Sequence, residues 1–286
     1  MSSSTNTKRP PAVAGMFYPA NPRELMDLID QSFRNQRFGP GKAPPALNHK
    51  RKIYGIVSPH AGYVYSGAVA ANGYYEASSV DFQNVIMVGP NHYGIGSGVA
   101  TMKGGVWETP LGDVLVNHEL ATQLASKSEI TDFDNDAHSR DHCLEVQLPF
   151  LQCIKTGFGI VPVILRMQDI DTAFDLGKAI AYATSENIES TLLVASSDFT
   201  HYESNSEAHR KDGELINAIL SLDVNKFYAV LERLDVTACG YGAIASIMVA
   251  AKNLGATKGE LLKYATSGDV TGDASAVVGY SSIVFT

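Results

Sequence analysis

The chain has 286 residues, of which 45% are hydrophobic and 18% charged, and its net charge is −8. That length makes one large domain or two small ones, with enough apolar residues for a sizeable core. An acidic balance with no basic block argues against a nucleic-acid footprint or a polybasic membrane patch, and no apolar run approaches the roughly 18 residues of a membrane span.

Residues 1–10 are polar, include Lys8 and Arg9, and are expected to be disordered; they do not have the pattern of a secretory signal. Residues 11–286 read as a single domain, because no linker or repeat divides them. Asn21 is the expected N-cap of a first helix, with Pro22 as its first residue and Glu24 closing a capping box. Leu25, Leu28, Ile29 and Phe33 mark its apolar face. A Gly/Pro-rich loop at 39–45 precedes a strand at 53–57, a helix near 67–77 and a strand at 85–88. A short strand at 99–102, a turn at 107–113 and a helix at 118–126 follow. The pattern at 144–154 is helical, with a break or kink at Pro149. A strand at 160–165, a helix at 172–184 and a strand at 191–195 come next, then helices at 206–220, 224–234 and 242–253. Strands at 261–266 and 277–285 close the chain. This alternation predicts an α/β sandwich with a central, mostly parallel mixed sheet flanked by helices.

Three of these strands run into motifs that carry ligand or acid–base groups. The first leads to Ser58-Pro59-His60-Ala61-Gly62, the second to Gly89-Pro90-Asn91-His92, and the third to Ser196-Ser197-Asp198-Phe199-Thr200-His201. In open α/β sheets, ligands bind outside the carboxyl ends of strands, so these groups should meet in one crevice. His60 and His92 read either as metal ligands or as turn histidines. Asp198 and His201 read as a carboxylate orienting a base, or as a helix cap. Cys239 precedes a helix whose amides and dipole favour a thiolate, which would be a nucleophile or soft ligand; a lone cysteine is also often a small buried hydrophobe.

His142, beside Asp141, could line the same cavity, and Phe17, Tyr18, Tyr63 and Tyr65 could form an aromatic wall or pack in the core. Cys143 and Cys153 read as structural, while His49, His118, His138 and His209 read as surface or helix-end residues. Three cysteines are too few for a disulfide framework, so a reducing, cytoplasmic setting is expected.

Seven separated segments then carry a resemblance. Ala14-Gly15-Met16-Phe17-Tyr18-Pro19, Pro59-His60-Ala61-Gly62-Tyr63, Gly89-Pro90-Asn91-His92, Thr109-Pro110-Leu111-Gly112, the run from His142 to Phe150, the run from Ser196 to His201 and Cys239-Gly240-Tyr241-Gly242 resemble the Memo family, in that family's order. The resemblance implies the fold of class III extradiol ring-cleaving dioxygenases. It also implies His60, His92 and Cys239 as metal ligands, with Asp198 and His201 beside them as catalytic residues. The implied metal is iron(II) or copper, with zinc a further option. Animal members are linked to cell motility and bind phosphotyrosine peptides. Here Phe17 replaces a tryptophan and Tyr241–Gly242 replace a polar pair, so that role is not carried over.

The leading expectation is a metal-dependent redox protein, dioxygenase-like, acting on a small molecule in the cleft. A non-enzymatic module binding a peptide or small molecule comes second. A zinc-type hydrolase comes third, since the chain lacks His-Glu-x-x-His and Gly-x-Ser-x-Gly.

Overall fold

The computed structural model describes residues 7–45 and 51–286; His49 lies outside them. In chain order the strands are β1 (Lys8–Arg9), β2 (Gly55–Ser58), β3 (Asn84–Pro90), β4 (Val99–Thr101), β5 (Val106–Thr109), β6 (Gly112–Val116), β7 (Thr131–Phe133), β8 (Gly159–Leu165), β9 (Thr191–Ser196), β10 (His201–Glu203), β11 (Gly259–Thr266) and β12 (Val277–Phe285). The helices are α1 (Pro22–Arg34), α2 (Tyr63–Ala77), α3 (His118–Ala125), α4 (Leu148–Ile154), α5 (Ile170–Thr184), α6 (Asn205–Leu220), α7 (Val224–Leu234), α8 (Tyr241–Asn253) and α9 (Ser267–Thr271).

One sheet runs in the order β1-β5-β6-β8-β3-β9-β2-β12-β10, with β11 on β12 and β4 on β8. Its middle, β6-β8-β3-β9-β2, is parallel, and β12 joins it antiparallel. Strands buried on both faces must be apolar throughout. In β9, Leu193 and Ala195 point into one core with α3, α5, α6, α7 and α8, whereas Leu192 and Val194 point into the other with α1, α2 and α4. This is the expected α/β sandwich.

The differences from expectation are local. Lys8–Arg9, expected within a disordered start, pair in parallel with β5, and Arg9 is 4% exposed. Asn21 caps α1 by accepting from the amides of Arg23 and Glu24, but Glu24 returns no bond, so the capping box is not formed. Helix α2 starts at Tyr63 rather than near Gly67, whose missing Cβ would lie 3.0 Å from Ser32 Oγ. That glycine is therefore a contact point for α1, not a boundary. Pro149 does mark a break: a 3₁₀ turn over Glu145–Gln147 gives way to α4.

Candidate metal centre

Strands β3, β9 and β2 are neighbours, so their carboxyl ends share one rim. Ser58 lies in register with Ser196, and Val88 with Ala195. His60, His92 and Asp198 each follow two residues after their strand ends. Cys239 reaches the rim from the turn before α8, where its amide donates to Asp198 O at 3.3 Å and the Asp198 amide donates to its sulfur at 3.3 Å. A Cβ on Gly240 would stand 2.4 Å from Ser196 O, so glycine is what lets the turn approach so closely.

The outcome is a compact donor set. Cys239 Sγ is 3.1 Å from His60 Nε2, and ligand atoms of His60, His92 and Cys239 all lie within 4.8 Å of one another. Donors held at about 2.0–2.3 Å from one ion are about 3–4 Å apart, so the set fits a transition metal.

Hydrogen bonds also settle which nitrogens are free. Ser196 Oγ donates its single proton to Cys143 O at 2.6 Å. It must therefore accept from His60 Nδ1 at 3.0 Å, which leaves His60 Nε2 bare toward the sulfur. Gln147 Nε2 also donates to Ser196 Oγ, at 2.8 Å, and to Pro59 O at 3.0 Å. His92 Nδ1 donates to Asp141 Oδ1 at 3.0 Å, and the His92 and Cys143 amides bond the same carboxylate. This carboxylate–histidine pair frees His92 Nε2, the tautomer a ligand needs.

A second trio, His92, Asp141 and His142, also lies within 4.8 Å. It fits less well, because the Asp141 oxygens already accept three hydrogen bonds.

Burial penalises the charge of His60, and His92 adds repulsion, so its pKa sits well below the ordinary value. His142 is lowered to about 4 by burial, then by His60 and His92. Burial opposes ionisation of Asp141, but the bonds from His92 and the Cys143 amide prevail and hold its carboxyl well below the usual range. Burial and the neighbouring Asp198 charge push the Cys239 thiol well above its ordinary value, although the Asp198 amide pulls the other way. Of the two readings of Cys239, the buried small residue describes it without a cation: it is a thiol until a cation displaces its proton.

Asp198 does not orient His201. Its Oδ1 accepts from the His60 amide at 2.8 Å, its Oδ2 is 4.0 Å from His60 Nε2, and burial raises its pKa. Nor does it cap a helix, since Ser204 caps α6. His201 Nδ1 instead donates to Thr237 O at 2.9 Å, leaving its Nε2 as the acceptor.

Phe17 and His142 join the site: their ring centroids are 4.6 Å apart, and His142 stacks on His92 at 4.6 Å. Tyr63 does not. Its ring packs on Tyr18 and Phe150 in the core, and its hydroxyl donates to Val146 O at 2.6 Å. His138, read as a surface or helix-end residue, is 1% exposed and lies against Trp107.

Two supports carry no sequence signal. Gln168, after β8, accepts from the Gly242 amide and donates to Cys239 O, each at 2.9 Å, and so clamps the thiol's turn. Arg9 bonds Glu145 at 2.6 Å, His138 O at 2.8 Å and Asp141 O at 2.6 Å, tying down the segment that holds Asp141 and His142.

A family profile described as a Memo-like protein matches residues 9–284. The chain belongs to the Memo family. A MEMO1 family protein of Nitrosopumilus maritimus is 53% identical, covering 97% of this chain and 99% of the relative. Relatives from Methanopyrus kandleri and Methanocaldococcus jannaschii are 48% and 45% identical, covering 97% and 98% of this chain and 99% of each relative. Their names give membership of the same family and nothing of a metal or substrate. Within this Memo chain, no helix of the described residues is long and apolar enough to cross a membrane.

Proposed function

We propose that the chain is a metal-dependent redox protein, dioxygenase-like in its chemistry, which holds iron(II) or copper between His60, His92 and Cys239. The observation that carries this reading is the meeting of three donors from distant parts of the chain, with both imidazole tautomers set to present a bare Nε2. Two imidazoles and a sulfur suit iron(II), copper(I) or zinc, and iron or copper would supply one-electron and oxygen chemistry.

The chain's own residues would then handle the substrate. His201 Nε2, bare because Nδ1 is committed to Thr237 O, removes a substrate proton. Asp198, whose Oδ1 accepts from the His60 amide, holds the His60 turn and places a carboxylate at the cleft wall. Phe17 and His142 offer ring faces to a small planar substrate and keep water from one side of the cleft.

The test is element-resolved metal analysis of protein purified anaerobically without chelator. Stoichiometric iron or copper in the wild type, lost in both Cys239→Ala and His60→Ala, is the expected result. Metal retained by both variants would overturn the ligand assignment, and zinc alone would favour a hydrolytic role.

A further inference from the structure

A second cavity lies behind the thiol's turn, between the start of α5, the last turns of α7 and the start of α8. Its volume is about 560 Å³, and it is lined by Asp169, Ile170, Tyr228, Leu231, Glu232, Val236 and Tyr241. That size suits a small organic ligand.

Three observations define what it could hold. Tyr228 and Tyr241 meet edge-to-face, with centroids 6.1 Å apart and planes at 86°, so their rings turn different faces toward the same space. Two of the lining residues are carboxylates and none is basic, and neither Asp169 nor Glu232 forms an ion pair among the described residues. Ile170, Leu231 and Val236 supply the rest of the wall. Aromatic faces with negative charge and aliphatic walls attract a cation that carries its own apolar surface.

The backbone adds to this field. Glu232 lies in the last turn of α7, where the carbonyl end of the helix dipole favours positive charge. The start of α5 works against it. There, however, Asp169 accepts from the Thr172 amide at 3.0 Å and from Thr172 Oγ1 at 2.8 Å, which answers one free donor and keeps the carboxylate charged. Asp169 and Tyr241 line the same cavity, so that carboxylate shares the space with the ring.

We propose that this cavity is a binding site for a small organic cation of the alkylammonium class. It is separate from the donor set but not isolated from it: Tyr228 Oη donates to Gln168 O at 2.6 Å, and the Gln168 side chain clamps Cys239 and Gly242.

The full-length protein would be titrated calorimetrically with choline, and with 3,3-dimethyl-1-butanol as its uncharged isostere. Choline is expected to bind and the isostere to bind at least about tenfold more weakly. Tyr241→Leu and Glu232→Gln should each weaken choline by about threefold to thirtyfold, while Tyr241→Phe, which keeps the ring, retains it. Circular dichroism identifies a variant that fails to fold, in which case the remaining substitution decides. No choline binding, equal binding of the isostere, or choline affinity unchanged in folded Glu232→Gln and Tyr241→Leu would each overturn the proposal.

Discussion

Binding of a metal at Cys239 should release a proton, and the amount can be worked out from the site. Burial and the Asp198 charge hold the sulfur as a thiol well above neutral pH. A ligand sulfur must be a thiolate, so each metal bound displaces one proton from it. His60 contributes no proton, because its pKa is held well below the ordinary value and it is already neutral. Between pH 7 and pH 8.5 the apparent affinity should therefore rise about tenfold per pH unit, or about 1.4 kcal/mol, giving about a thirtyfold gain across the window. Cobalt(II) is a suitable probe, with its thiolate charge-transfer band titrated against a competing chelator at each pH. Cys239→Ser should bind weakly and without the slope, since a hydroxyl keeps its proton. A flat wild-type profile, or an undiminished slope in Cys239→Ser, would refute the reasoning.

Gln168→Ala removes both bonds that fix the Cys239 turn, so metal affinity should fall about 10- to 100-fold while the fold persists, as read by the same chelator competition. Arg9→Ala leaves the fully buried Glu145 carboxylate without its cation and should cost about 3–5 kcal/mol in urea unfolding followed by Trp107, the single tryptophan, which lies 4.1 Å under the Arg9 guanidinium. His138 is lowered to about 3 by burial and then by Arg9, against about 6.5 unfolded. The unfolded chain therefore takes up the proton first, and stability present above about pH 6.5 drains away toward pH 3 at about 1.4 kcal/mol per unit. His138→Phe should lose about 3 kcal/mol less than wild type between pH 7 and pH 4.

The parallel centre of the fold is legible in the sequence because β2, β3 and β9 are buried on both faces and must read as apolar runs. The donor set is legible for the same reason: each run ends abruptly at a motif, and adjacent parallel strands bring such ends together. The edge of the sheet is not legible. β1 is two residues long and owes its place to Val106 and Glu145, far along the chain, so no local pattern announces it. Gln168 is equally silent, since a glutamine's partners depend on the tertiary turn it meets. The protonation of Cys239 is not legible either: helix position favours a thiolate, whereas burial, invisible to spacing, outweighs it. Asp198 and His201 are close in sequence, but the short β10 strand carries His201 to Thr237 instead.

Cys239 Sγ and His60 Nε2, 3.1 Å apart at the centre, belong to residues 179 positions apart. A growing polypeptide exposes both imidazoles long before its sulfur leaves the ribosome. Until then a captured ion has only part of its cage, and an exchange-labile ion can be lost to cellular chelators. With the proposed ligand set, loading would therefore be a late event, complete only once the turn that opens α8 reaches the rim of the sheet, and nonsense truncations upstream of that helix should yield polypeptides unable to retain an ion.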